Sequence, residues 1–160
     1  MQVLEAGLTM ATVLGVIATA TSNYIEAAST QICESLAAVG SGRTAVTKTI
    51  DRAISFEQGI SSDISRNTDF IVPSGGKYSA FVIGFLPEAG ETYSLDIHLK
   101  YPDGSWDAAY SVHEANFAVG ELVEITVKPR FSSRPYGVNL QVNSANAREN
   151  TYTVSVWGCR

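Results

Sequence analysis

The sequence predicts an α+β protein in which a long N-terminal hydrophobic helix packs on a C-terminal antiparallel β-sheet or small β-sandwich. Residues 6–25 carry no charge and are mostly apolar, and about 20 such residues are enough for a helix to cross a bilayer. From Asp69 onward, apolar and polar residues alternate with period two, which is typical of half-buried strands. The expected divisions are a hydrophobic assembly or transmembrane helix (1–39), an amphipathic helical segment (40–66) and a β-rich head (67–160).

Glu5 is the one charged residue among the first 25, and no lysine or arginine precedes Arg43. A secretory signal peptide begins with a positively charged region, and an ordinary membrane anchor carries basic residues in its cytoplasmic flank. Both are missing here. Removal of a basic leader before Met1 would account for this, and would make Met1 a processed N-terminus.

The first helix is expected to end near Val39, because Gly40-Ser41-Gly42 interrupts the pattern. A second, amphipathic helix is expected over residues 44–65. Its apolar residues recur near helical spacing: they are Val46, Ile50, Ala53, Ile60 and Ile64. Whether this helix continues the first or is kinked near the glycines is left open.

Six or seven antiparallel strands are expected in the head, enough for a small sandwich. Pro102-Asp103-Gly104 is expected to form a turn between two of them, because proline fixes φ and glycine accepts a positive φ. The expected strands lie at residues 78–86 and 93–100, more weakly at 107–113, and around Val123, Ile125 and Val127, around Val138, Leu140 and Val142, and around Tyr152, Val154 and Val156.

The N-terminal features resemble those of a mature type IV pilin over roughly the first third of the chain. Met1 and Glu5 match the first residue and the fifth-position acid of that family, and a Met start is similar to the type IVb branch. The resemblance implies that Glu5 pairs with the terminal amine of Met1 in a neighbouring subunit. Breaking such a buried pair costs about 3–5 kcal/mol. The assembly residues implied are Met1, Leu4, Glu5, Leu8 and Gly15, the last as a point where the helix softens.

The resemblance implies a structural subunit of an extracellular pilus, a helical homopolymer without enzymatic activity. Its implied partners are copies of itself, the prepilin peptidase, the assembly machinery and, before assembly, the cytoplasmic (inner) membrane. Adhesion, motility, DNA uptake and phage attachment are the implied class of roles. A β-sandwich head is closer to archaeal pilins than to bacterial ones.

The alternative to a structural filament subunit is a binding protein, which is a different class of function. In it the chain is a monomeric, Ig-like β domain held at the membrane by a single helix, and Glu5 is a glutamate at the interface end of a plain anchor. A virion coat or conjugation-type filament protein is a third, weaker hypothesis.

Cys33 and Cys159 are the two cysteines of the chain. If the domain lies outside the cytoplasm, a disulfide between them is chemically permitted, and two free buried thiols are the alternative. A pair that links the helix to the C-terminus departs from the pilin pattern, in which both cysteines lie in the C-terminal region.

No residue pattern indicates catalysis, a cofactor or a metal site. His98 and His113 are expected on polar strand faces, without enough further ligands for a metal. Trp106 and Trp157 are candidate exposed aromatics for contact with a glycan or a partner, although packing at the edge of a β core is the commoner role. The net charge is −5 and no basic stripe with interleaved aromatics is apparent, so nucleic-acid binding by this subunit alone is disfavoured.

Overall fold

The structure is a computed structural model that describes residues 31–50, 67–90, 92–144 and 150–160. These residues form nine β-strands and no helix. The strands are β1 (Cys33–Ser35), β2 (Ala45–Ile50), β3 (Asn67–Ile71), β4 (Ala80–Ala89), β5 (Thr92–Lys100), β6 (Trp106–Asn116), β7 (Val123–Val127), β8 (Gly137–Asn143) and β9 (Asn150–Cys159).

The strands form two antiparallel sheets. The five-stranded sheet has the order β1-β9-β4-β7, with β2 also paired to β9, and the four-stranded sheet has the order β3-β8-β5-β6. Because β4 pairs along nearly all of β9, β1 and β2 share the other edge of β9. β1 lies beside the C-terminal half of β9, and β2 lies beside its N-terminal half.

The core lies between the two sheets, and in several strands it is formed by alternate residues that are large and apolar. In β5 every second residue from Tyr93 to Leu99 is fully buried, whereas the residues between them are half-exposed. Strand β9 shows the same alternation, with Tyr152, Val154 and Val156 fully buried. The strands predicted after residue 78 are therefore observed. The predicted turn joins β5 to β6, with Gly104 at φ +81°.

The helix predicted to end near Val39 is wrong at its C-terminal end. Residues Cys33–Ser35 are strand β1, and Leu36 and Ala38 are each only 2% exposed. Ala38 and Val39 then reach the four-stranded sheet and bridge to β3. Pairing with both sheets outweighs the helix propensity of this Ala- and Leu-rich stretch, because tertiary context overrides intrinsic propensity. Residues 1–30, which hold the rest of that predicted helix, lie outside the described residues.

The helix predicted over residues 44–65 is wrong over its first part, which is strand β2. Val46 and Ile50 are four residues apart, and this spacing fits one face of a strand as well as one face of a helix. The two threonines between them are β-branched and favour a strand. Residues 51–66 lie outside the described residues.

The glycines predicted to interrupt a helix instead reverse the chain between β1 and β2. Gly40 and Gly42 have φ of +83° and +66°. The amide of Ala38 donates to the carbonyl of Arg43 at 2.8 Å across this turn.

The predicted α+β fold class is therefore wrong for the described residues, which form an all-β sandwich. Within these ranges, no helix has the length and apolar character needed to span a membrane. The apolar run predicted to do so, residues 6–25, lies outside them.

Candidate functional site

The outward face of the four-stranded sheet carries polar side chains in rows across its strands. Because the alternate residues of β5 are buried, Asp96, His98 and Lys100 point outward. The strand register places Gln141 of β8 beside Asp96 and Asn139 beside His98. The face thus presents carboxylate, imidazole, ammonium and amide groups side by side.

Hydrogen bonds hold several of these groups in place. Asp69 Oδ1 accepts from Lys100 Nζ at 2.7 Å and from Asn139 Nδ2 at 3.1 Å. Asp96 Oδ1 accepts from the hydroxyl of Ser111 at 2.5 Å. The side chains of Lys100 and Asp69 are 35% and 38% exposed, and such surface pairs are worth about 1 kcal/mol or less. Their main effect is to orient the polar groups of this face.

At one end of this face, a glycine leaves a slot between larger side chains. Gly137 of β8 lies between Ile71 of β3 and Lys100 of β5, and Trp106 of β6 lies on the far side of Lys100. A hollow of about 290 Å³ opens there, and Tyr136, Gly137 and Lys100 are among its lining residues. We call this hollow the glycine slot.

Aromatic side chains stand exposed beside the glycine slot. Trp106 is 60% exposed and Tyr136 is 53% exposed. The His98 ring meets the indole of Trp106 edge-on, with 4.7 Å between centroids, which limits the orientations of the indole. Grouped exposure of large apolar side chains marks interaction sites, whereas single exposed residues do not.

A cationic cleft of about 430 Å³ opens between the β3–β4 loop and the β7–β8 loop. Its lining includes four cations and a phenylalanine. These residues are Lys77, Lys128, Arg130, Arg134 and Phe131. Phe131 is fully exposed, so the cleft combines positive charge with an apolar ring at its rim.

Arg130 is the anchored member of the cationic cleft. Its Nε donates to both carboxylate oxygens of Asp107 at 2.9 and 3.0 Å, and its Nη1 donates to Ser105 Oγ at 2.8 Å. Its guanidinium also lies 4.2 Å from the ring centroid of Tyr101. The hydrogen bond from Arg130 holds the pKa of Asp107 below its usual value. Arg130 therefore shapes the cleft while its own charge is paired.

A third hollow, of about 220 Å³, lies next to the other two. Arg134 lines both this hollow and the cationic cleft, and Tyr136 lines both this hollow and the glycine slot. We call these three neighbouring hollows the track.

The two tryptophans singled out from the sequence lie on different sheets. Trp106 stands beside the glycine slot on the four-stranded sheet. Trp157, on β9, faces outward on the five-stranded sheet and is half-buried over Gly84, where an added Cβ would lie 3.0 Å from its Cζ3. Trp157 therefore packs on the outward face of an interior strand, and the structure does not bring it together with Trp106.

A disulfide joins Cys33 to Cys159, 126 residues apart, and so links β1 to the end of β9. Beside it, the carboxylate of Glu34 accepts hydrogen bonds from Tyr78 and from Arg160. The bond from Tyr78, followed by that from Arg160, lowers the pKa of Glu34.

The predicted assembly residues lie outside the described part of the chain. They are Met1, Leu4, Glu5, Leu8 and Gly15.

The sequence analysis missed the β7–β8 loop. Residues 128–136 contain three cations, Phe131 and Tyr136 within nine positions. This short stretch of cations and aromatics is the signal in the sequence that could have found the loop. Lys77 could not have been found in this way, because only the fold brings it to this loop.

Among the described residues, no group of three or more His, Cys, Asp and Glu side chains is placed to hold a metal ion. The geometry of the track is suited to contact with a ligand surface, through ring stacking, hydrogen bonds and charge.

No family model and no curated protein matches the chain. Among solved structures, it is similar to the CBM22-1 xylan-binding domain of Xyn10C from Paenibacillus barcinonensis, with 11% identity, coverage of 79% of this chain and 94% of that chain, and a TM-score of 0.33. It is also similar to a chain of infectious bursal disease virus, Gx strain, with 11% identity, coverage of 81% and 28%, and a TM-score of 0.28. At these TM-scores neither likeness supports an argument about this chain.

The prediction of a type IV pilin subunit is wrong. No pilin family model matches the chain, and strands β1 and β2 replace parts of the long helix on which the resemblance was built. The helical homopolymer was inferred from that resemblance, so it loses its basis. The alternative, a β domain that binds a ligand, agrees better with the all-β sandwich.

Proposed function

We propose that this protein is a ligand-binding β-sandwich module that holds a glycan on the outward face of its four-stranded sheet. The observation that carries the proposal is Trp106, an exposed indole that meets the His98 ring and lies on the far side of Lys100 from the glycine slot. A sugar ring offers C–H groups that stack on an aromatic face, and hydroxyls that pair with amides and carboxylates. The face presents both kinds of partner at once.

The fixed polar groups support a glycan more than an apolar ligand. Asp69, Asn139 and Lys100 are already linked by hydrogen bonds, so little side-chain freedom is lost when a hydroxyl joins them. Preorganised groups of this kind raise affinity because they reduce the ordering cost of binding.

The disulfide supports a location outside the cytoplasm. Structural disulfides persist in oxidising compartments and are rare in the cytosol. A glycan ligand would be available to an exported protein on or near a cell surface. We propose a binding role without catalytic turnover.

Titration calorimetry against a panel of soluble polysaccharides tests the proposal. Trp106→Ala should weaken glycan binding by about tenfold or more, equivalent to about 1.4 kcal/mol, since truncation of a central aromatic anchor commonly removes this much. Leu122→Ala is the matched control. Leu122 is 53% exposed and precedes β7, at the opposite end of the sandwich, so its truncation should leave affinity unchanged.

Gly137→Val tests the slot itself. A Cβ at Gly137 would meet only the Phe70 carbonyl oxygen, at 3.5 Å, which is ordinary contact, and the two further methyls of valine are meant to fill the slot. Thermal unfolding of the variant checks that it is folded. Binding should weaken by at least about tenfold. Wild-type affinity in both Trp106→Ala and Gly137→Val would contradict the proposed surface.

A further inference from the structure

We propose that the glycan is acidic, and that the cationic cleft receives its carboxylate or sulfate groups. This inference rests on the glycan-binding role proposed above and names the chemical class of the ligand. The shared chemistry is a negatively charged oxygen on a sugar chain.

Three cations of the cleft have no partner among the described residues. Lys77, Lys128 and Arg134 are exposed and make no ion pair there. They converge from the β3–β4 and β7–β8 loops although the chain as a whole has 16 acidic and 11 basic residues. Like charges gathered in one concave place repel one another, and their field attracts an anion.

The acidic groups near the cleft are already occupied. Asp107 binds Arg130, and Asp103 accepts hydrogen bonds from the amide and hydroxyl of Ser105 at 2.9 and 2.5 Å. No carboxylate lines the cleft in the part of the chain that the structure describes. The positive charge of the cleft is therefore available to a ligand.

The cleft and the proposed glycan surface are neighbours through shared lining residues. Arg134 belongs to both the cleft and the third hollow, and Tyr136 belongs to both the third hollow and the glycine slot. One polymer laid across these neighbouring hollows would place its charged groups in the cleft and a sugar ring near Trp106. Phe131 and Ser133 add a ring and a hydroxyl to the lining, which suits a charged sugar better than an isolated inorganic ion.

The test compares acidic and neutral polysaccharides on the full chain with its disulfide intact. Polygalacturonate supplies carboxylates, dextran sulfate supplies sulfates, and unmodified dextran and xylan are neutral. We expect the wild type to bind at least one acidic polymer more tightly than the neutral ones. This preference should shrink as salt rises from about 0.01 to 1 M, since the screening length falls from about 30 to 3 Å.

The triple variant Lys77→Gln, Lys128→Gln, Arg134→Gln should lose roughly tenfold in affinity for the acidic polymer, the combined effect expected of three exposed charge pairs. Its affinity for neutral polymers should not change. Arg43→Gln is the control for neutralising an exposed arginine outside the cleft. Arg43 is exposed and lies in the β1–β2 turn, away from the cleft, so its neutralisation should have no effect.

The outcomes separate this inference from the proposed function. Equal binding of acidic and neutral polymers, or a triple variant with unchanged preference, would overturn the acidic ligand. If Trp106→Ala still lost binding in that case, the glycan surface would stand. Loss of acidic binding in the triple variant alone, with wild-type behaviour of Trp106→Ala and Gly137→Val, would support the cleft and overturn the sheet face. Binding to anionic vesicles but to no polysaccharide would overturn both.

Discussion

Tyr93 shows at the scale of one residue how the sandwich is closed at the end away from the track. Its ring is fully buried and meets Phe85 and Tyr152 at centroid distances of 5.2 and 6.2 Å. Its hydroxyl donates to the backbone carbonyl of Ala89 and lies 3.0 Å from that of Thr151. Burial, and secondarily the charge of Glu88, raises the pKa of Tyr93 to about 12.

Tyr93→Phe should destabilise the protein by about 1–2 kcal/mol at neutral pH, because the part-buried carbonyl of Ala89 loses its donor. The folded pKa is raised above the usual value of about 10, so the stabilising contribution of the hydroxyl is complete below pH 10. It is lost as the pH rises towards about 12. Urea unfolding at pH 7, 10 and 11 should show that the difference in the free energy of unfolding between the wild type and Tyr93→Phe becomes smaller as the pH rises. A constant gap would contradict the burial of the hydroxyl.

At the scale of elements, β1 is a short strand that depends on a covalent link. It has three residues and lies at an edge of the five-stranded sheet. Strands this short contribute few ladder hydrogen bonds, so the Cys33–Cys159 disulfide and the burial of Leu36 directly after the strand both help to keep β1 on β9.

The double variant Cys33→Ser, Cys159→Ser should lower the free energy of unfolding by about 2–5 kcal/mol, because the disulfide constrains a long loop in the unfolded chain. Thermal unfolding of the wild type and of the double variant measures this loss of stability. Mass spectrometry after alkylation of the folded protein, without reductant, should detect no free thiol. Two alkylated cysteines in the wild type, or an unchanged melting temperature in the variant, would refute the role of the disulfide.

At the scale of the whole molecule, strands distant in sequence are neighbours in space. β9, at the end of the chain, pairs with β1, β2 and β4, and β8 pairs with β3 and β5. Each such contact closes a long loop before it contributes stability, and the entropy of closure slows folding.

Refolding of the oxidised protein should therefore take milliseconds to seconds, as is usual for all-β sandwiches. Stopped-flow fluorescence can follow it, because Trp106 and Trp157 report on different sheets. Refolding in microseconds would contradict the non-local topology.

The strands after residue 78 could be predicted from the sequence, because β5, β7 and β9 alternate between buried and more exposed residues and β4 is a continuous apolar run. The period-two alternation in residues 93–100 and in β9 is a local pattern that can be recognised without knowledge of the rest of the chain. The turn at Gly104 was equally readable, since its residues impose the geometry by themselves.

The first two strands and the binding track could not be read in the same way. Val46 and Ile50 fit the period of a helix as well as that of a strand. β1 is extended because it is held by β9 and by the disulfide to Cys159, and no local pattern in the sequence indicates these distant contacts. Trp106 was identified as a candidate contact residue. Its companions come from two other segments, Lys77 from the β3–β4 loop and Lys128, Arg134 and Gly137 from residues 128–137. Only the packing of the two sheets places these segments at one end of the sandwich. The sequence by itself determined which residues form the faces of the later strands, because alternation is local. The tertiary structure decided the edges and the track, because both depend on contacts between residues far apart in the chain.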